Sequence, residues 1–218
     1  METHPNTTFY NRVSGYYDDL AHSSERESTE NGWKLLSVQE GERVLEIGFG
    51  TGHSLVEFAG TVGPEGKVVG IDVSTGMRDV AAERLAKAGL SDRVSLDVGA
   101  VPPLSYEDDS FDAVFLSFTL ELFPLEQISE VLGEVRRVLA PGGRLGVVCM
   151  EAPTEEIRET FAEDAYVWMH RHFPHIVDCQ PISVREVLED AGFAIQSKSD
   201  TDIWKLEVAM LVATVAGE

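Results

Sequence analysis

From Arg43 onward, short apolar runs alternate with stretches whose apolar residues recur at helical spacing. The runs are Val44-Leu-Glu-Ile47, Val68-Val-Gly-Ile71, Val94-Ser-Leu96, Ala113-Val-Phe-Leu116 and Arg144-Leu-Gly-Val-Val-Cys149. Each has strand length, and most are too continuously apolar to leave one face wet. Between them the pattern predicts helices over 53–60, 76–88 and 126–139. This alternation specifies an α/β fold, a mostly parallel sheet covered on both faces. Gly89 is placed to cap the second helix, and Pro141-Gly-Gly143 to turn the chain after the third.

Three regions lie outside this pattern. Residues 1–40 read as two helices with an aromatic cluster at Phe9, Tyr10, Tyr16 and Tyr17. Residues 154–173 read as one helix, opened by Thr154. Residues 183–215 read as a helix from Ser183 through Ala191, then two strands, Phe193–Lys198 and Lys205–Val215. The short gap between those strands predicts an antiparallel pair at the sheet edge. A length of 218 residues suits a single domain.

Charge narrows the partners. There are 38 Asp+Glu against 17 Lys+Arg, a formal net charge of −21. Nucleic acid needs a basic surface, and anionic lipid repels an acidic one. No apolar run approaches the ~20 residues of a spanning helix. The Met1-Glu-Thr-His-Pro start has neither the basic nor the apolar region of an export signal, so the expected location is the cytoplasm. Two cysteines, Cys149 and Cys179, make no disulfide framework. An acid-rich surface with five Lys against twelve Arg fits either a salt-rich interior or an ordinary acidic protein.

The segment Val44-Leu-Glu-Ile-Gly-Phe-Gly-Thr-Gly-His53 carries the candidate chemistry. A buried strand ends in Gly48, Gly50 and Gly52, spaced two apart, and a helix follows. Glycines there admit φ > 0 and close approach of a ligand to the main chain, and the amides opening the helix favour an anionic group. A dinucleotide fingerprint needs its third glycine at position 53, which is His53, and a Walker loop needs Gly-Lys-Ser/Thr, which is absent. The next strand ends at Gly70-Ile-Asp72. A carboxylate at that tip suits two ribose hydroxyls and would repel a 2′-phosphate.

Glu46-x-Gly48-x-Gly50-x-Gly52 with Asp72 resembles the cofactor site of class I S-adenosylmethionine-dependent methyltransferases. Ser110-Phe-Asp112 resembles that family's entry to the fourth strand, and Glu134-Val-Arg-Arg-Val-Leu-Ala-Pro-Gly-Gly143 its helix-to-strand turn. Tyr10-Asn-Arg-Val-Ser-Gly-Tyr-Tyr17-Asp18 is similar to the N-terminal motif of the ubiquinone/menaquinone-biosynthesis C-methyltransferases and related small-molecule methyltransferases. The resemblance spans about residues 8–215. It implies a Rossmann-like sheet of seven strands in the order 3-2-1-4-5-7-6. It divides the chain into an N-terminal helical lid (1–40), a cofactor-binding core (41–150), an inserted helix over the acceptor site (151–182) and a C-terminal helix with a strand pair (183–218).

Carried over residue by residue, the resemblance implies that backbone at Gly48, Phe49 and Gly50 holds the methionine part of the cofactor. Glu46 orients the loop or reaches the amino group, Asp72 takes the ribose hydroxyls, and Val73 and Met77 pack on adenine. Ser117 contributes backbone to the methionyl end, and Tyr10 and Tyr17 sit on a lid. Where the group has an Asp-Ala pair after the third strand, this chain has Gly99-Ala100. The acceptor for the adenine amine is then backbone alone, or the loop is shifted; Asp97 lies two residues upstream.

Methyl transfer from a sulfonium needs alignment above all, and a base only where the nucleophile must lose a proton. The candidates for contact with the acceptor are His53, after the glycine loop; Glu121, after the fourth strand; and His170 and His172, near Trp168 and Phe173 in the insert. Each has a bland alternative as a helix-end, packing or solvent residue. His170, His172 and His175 do not share a helical face, so no metal is expected. The reading is transfer of a methyl group from S-adenosylmethionine, leaving S-adenosylhomocysteine, to a small apolar or aromatic acceptor, by a monomer or homodimer. A cofactor-binding protein without turnover is the alternative. A strongly anionic acceptor needs a local arginine, such as Arg12 or Arg171, to offset the field.

Overall fold

The computed structural model describes residues 23–152, 182–203 and 206–217. Helix α1 (Ser23–Leu36) leads into β1 (Arg43–Ile47), α2 (His53–Thr61), β2 (Lys67–Asp72), α3 (Thr75–Ala88) and β3 (Val94–Val98). Then come β4 (Phe111–Ser117), α4 (Leu125–Val138), β5 (Leu139–Met150), α5 (Val184–Asp190), β6 (Phe193–Ile203) and β7 (Leu206–Val215). One sheet takes the order β3-β2-β1-β4-β5-β7-β6. The first five strands are parallel, and β7 runs antiparallel to both β5 and β6.

The continuous apolar runs are strands buried on both faces. Val44, Ala113 and Phe115 join one core with Leu36, Leu55, Phe58 and Met77 of α1–α3. Leu45, Val114 and Leu116 join the other, with Ile128, Val131, Leu132 and Val135 of α4 and Val184 and Leu188 of α5. Gly89 ends α3 at φ 69, its amide on Ala86 and the Leu90 amide on Leu85, a left-handed stop.

Two elements differ from the sequence pattern. The Pro141-Gly-Gly143 turn lies inside β5: Phe111 pairs with Leu139 and Ala113 with Arg144, so residues 140–143 bulge from the ladder. A bulge lets a strand resume its register after such an excursion. Strand β6 runs five residues beyond Lys198 because residues 199–203 continue to pair with β7. This edge is too polar and exposed for apolar periodicity to reveal it. The 154–173 helix, the first N-terminal helix, the inserted segment and Trp168 and Phe173 lie outside the described residues.

The C-terminal end of α1 is fixed to β5 by Arg144. Its guanidinium donates Nε to the Leu36 carbonyl at 2.6 Å and Nη2 to that of Ser37 at 2.8 Å, and both Nη atoms to Glu42 at 2.8 Å. This clamp holds the end of α1 beside the N-terminal part of the β4–β5 pair, so that α1 packs along that sheet face and its first turns reach the C-terminal ends of the strands.

Candidate active site

A cavity of about 490 Å³ opens where β1, β2 and β4 end, with α1 across it. Its floor is the loop after β1. The Gly48 amide donates to the Ile71 carbonyl at 2.8 Å, extending the β1–β2 ladder by one bond. Gly48 sits at φ 74, and a Cβ there would collide with the Thr119 side chain. Gly50, at φ 51, faces open space. Gly52, at φ 80, opens α2, and a Cβ would come within 2.8 Å of the Ala81 Cβ. The three glycines thus serve the seat on Thr119, the open floor and the close packing of α2 on α3.

Asp72 ties this floor to the tip of β2. Its Oδ2 accepts from the Gly50 amide at 3.0 Å and its Oδ1 from the Ser74 amide at 2.8 Å. Each oxygen keeps further acceptor capacity. Burial raises the carboxyl to about 6, against the lowering effect of those amides. Ser74 caps α3 by accepting from the Met77 amide at 3.0 Å, which sets Met77 and Val73 on the cavity wall.

Glu46 is 2% exposed, and its Oε2 has no hydrogen-bond partner. Burial drives its pKa well above the usual carboxylate range, Ser54 opposes this and the Asp72 charge adds to it. The side chain borders the cavity, so a buried acceptor atom stands unsatisfied beside the floor. Phe49 lines the cavity while its ring lies over Gly70.

The opposite wall comes from α1 and the segment after β4. Glu25, Arg26, Thr29 and Trp33 share one face of α1. Thr29 Oγ1 and Ser117 Oγ are 2.8 Å apart. Phe118 adopts φ 48, costly for a non-glycine residue, with its amide on the Val148 carbonyl at 2.7 Å. His53 lines the cavity, with its Nδ1 2.9 Å from Arg84 Nη1.

The family model described as "Methyltransferase domain" matches residues 44–143. A demethylmenaquinone methyltransferase of Lactobacillus johnsonii is 34% identical over 153 residues, 68% of this chain and 62% of that relative. The chain spans less than two thirds of the length of the curated relatives it matches. A solved SAM-dependent methyltransferase from Aquifex aeolicus is 25% identical with a TM-score of 0.65, covering 93% of this chain and 98% of that one. Residues 44–143 thus match a methyltransferase domain, and the chain is similar to S-adenosylmethionine-dependent methyltransferases over most of its length. The [4+2]-cyclase SpnF shares the fold at 20% identity, TM-score 0.74, over 96% of this chain and 95% of its own.

The site fits the cofactor of those methyltransferases on its own chemistry. S-adenosylmethionine carries a cationic amino group and sulfonium and a ribose diol. The cavity offers the unsatisfied Glu46 oxygen, the Asp72 carboxylate and a floor without side chains at Gly50.

The remaining candidates divide. Gly48, Phe49, Gly50, His53, Val73, Met77, Gly99 and Ser117 border the cavity with Glu46 and Asp72. Gly99 donates its amide to the Asp72 carbonyl at 3.0 Å, while Ala100 and Gly52 are not on the wall. Asp97 accepts from the Tyr106 hydroxyl at 2.8 Å and is not on the wall either. Glu121 is 1% exposed and lies behind the wall, with Oε1 accepting from the Met150 amide at 3.2 Å and Oε2 unpartnered. Burial raises it to about 7, and the Glu25 charge adds to the rise; Glu25 is itself raised to about 7 by burial. Tyr10, Tyr17, His170 and His172 lie outside the described residues.

Sequence reasoning pointed to the segment 117–123 on the acceptor side without giving Phe118 or Thr119 a role of its own, and it missed Arg84 and the α1 wall. The α1 residues did have a signal, since positions 25, 29 and 33 recur at helical spacing. Among the described residues no helix is long and apolar enough to cross a membrane, and no group of three or more His, Cys, Asp or Glu could hold a metal ion.

Proposed function

We propose that this chain transfers a methyl group from S-adenosylmethionine to a small, apolar or aromatic acceptor. The observation that carries the reading is the convergence of Asp72, Glu46 and the glycine floor on one cavity wall. When bound, the cofactor supplies an electrophilic methyl group on a cationic sulfur, and the nucleophile displaces it in line.

The chain's own residues bind, orient and exclude water. Asp72 accepts from the ribose hydroxyls while its amide bonds hold it still. The Glu46 oxygen and the Gly48 carbonyl face the amino group, and Val73 and Met77 pack on adenine beside the backbone at Gly99. Ser117, oriented by Thr29, borders the methionyl end. The acceptor enters between α1 and the Phe118–Phe123 segment, where Phe118, Leu122 and Phe123 give an apolar surface. If the nucleophile is a phenol or an acidic carbon, Glu25 is the cavity carboxyl that takes its proton. Glu121 stands behind it, and His53 faces the same space as an Nε2–H donor.

The test is incubation with methyl-labelled S-adenosylmethionine and a panel of quinols, phenols, amines and lipids, reading S-adenosylhomocysteine and labelled product. The expected result is stoichiometric formation of both with at least one apolar or aromatic member. Cofactor binding without transfer to any member would contradict the reading.

A further inference from the structure

A second depression, of about 600 Å³, lies beside the cavity between α1, the start of α2 and the last turns of α3. Arg26, Trp33, His53 and Arg84 border both spaces, so the two are adjacent and share a wall. The groove carries Arg26, Lys34, Arg84 and Lys87 against two acids, Glu30 and Glu57. The whole chain has 38 acids against 17 bases. The groove therefore inverts the charge balance of the molecule at the mouth of its active-site cavity. A basic concavity in an acidic surface gathers anions locally while the rest of the protein repels them.

The chemistry of the groove agrees with its charge. Arg84 is held in place, with Nε donating to the Thr51 carbonyl at 2.8 Å and Nη1 bonded to His53 Nδ1 at 2.9 Å. A guanidinium only donates, so Nδ1 accepts and the neutral ring carries its proton on Nε2. At the junction with the cavity, Arg26, Arg84 and His53 are thus all donors. The acids nearby are held only by exposed pairs: Arg26 with Glu30 at 3.1 Å and Lys87 with Glu83 at 2.7 Å. Such pairs are weak and yield to a better anion. Trp33 adds an apolar wall that runs from one space into the other.

We propose that this groove holds the anionic end of the acceptor, a carboxylate, sulfonate or phosphate, while the reacting end lies in the cavity. The inference rests on the methyl-transfer reading and adds the charge class of the acceptor. The cofactor's own carboxylate is the other anion at hand. Arg26 and Arg84 border both spaces and can serve either, whereas Lys34 and Lys87 border the groove alone. These two lysines therefore separate the acceptor from the cofactor.

The test is calorimetric titration of the full chain with 2-naphthoate and with the neutral 2-naphthalenemethanol, each with and without S-adenosylhomocysteine. Naphthoate is expected to bind about tenfold more tightly than the alcohol, and added KCl to narrow that gap. The double variant Lys34→Gln with Lys87→Gln, shown folded by circular dichroism, should lose about fivefold in naphthoate affinity while alcohol and S-adenosylhomocysteine affinities stay unchanged. Equal binding of the two naphthalenes to the wild type would overturn the proposal. So would naphthoate binding that the double variant leaves intact, or that only Arg26→Gln weakens together with the cofactor product. A chain that discriminates the naphthalenes without binding S-adenosylhomocysteine would support an anion groove and refute the methyl-transfer reading instead.

Discussion

The Gly50 amide donates to the Asp72 carboxylate at 3.0 Å, joining the loop after β1 to the tip of β2. The residue proposed for the ribose therefore also holds the glycine floor of the cavity. Asp72→Ala should weaken S-adenosylhomocysteine binding by about 1–3 kcal/mol, roughly 5- to 150-fold, from unpaired polar groups alone. The proposed bonds from the ribose hydroxyls favour the ionised carboxylate, and burial raises the Asp72 pKa to about 6. Affinity in the wild type should thus fall as pH drops through about 6, and that fall should be absent in Asp72→Ala. Titrations at pH 5 and pH 8 check both.

The glycines of the floor should separate by what surrounds them. Gly48→Ala drives a methyl into Thr119 at a positive φ. It should cost stability of about 1–3 kcal/mol, read as a lower denaturation midpoint. Gly50→Ala has room, so its stability cost should be only the roughly 1–2 kcal/mol of a left-handed non-glycine residue. Its main effect should be lost cofactor affinity, because the new methyl occupies the floor.

The fold was legible because strands such as 44–47 and 113–116 are buried on both faces, and an uninterrupted apolar run records that directly. The glycine floor of the cavity was legible for a related reason. A ligand that touches backbone demands glycines at fixed spacing, and spacing survives in sequence. The α1 wall was not legible, because Glu25, Thr29 and Trp33 are ordinary helix residues until α1 packs along the β4–β5 face, anchored at its far end by Arg144. Glu121 was visible as an acid after β4, but its burial behind the wall depends on the Met150 amide, 29 positions away in the chain. Arg84 was hidden likewise: its partners Thr51 and His53 lie on a different element.

Five raised carboxyls among the described residues, Glu25, Glu46, Asp72, Glu121 and Glu151, give the stability profile one sign. Asp72, Glu25 and Glu121 hold protons in the folded chain, to about 6, 7 and 7, that the unfolded chain releases near 4. Folded protein therefore binds more protons in that window, and stability falls as pH rises from 4 to 7. Glu134 and Asp112 are lowered by Arg137 and Arg43, and their opposite effect is confined to more acid conditions. The urea midpoint should thus be higher at pH 5 than at pH 8. In Glu121→Gln, which removes the titration, the difference should be smaller.

The Arg144 clamp connects stability to the site. Arg144→Met removes the bonds to Leu36, Ser37 and Glu42 and leaves their oxygens short of a partner. A loss of about 2–4 kcal/mol is expected in urea denaturation. Cofactor affinity should also fall, although Arg144 does not border the cavity, because α1 carries the wall that faces the floor.

The most direct measurement is calorimetric titration of the wild-type chain at pH 8 with S-adenosylhomocysteine, with NAD as the control. The predicted result is saturable binding of one S-adenosylhomocysteine per chain and no heat from NAD. No binding of S-adenosylhomocysteine, or binding of NAD in its place, would contradict the account.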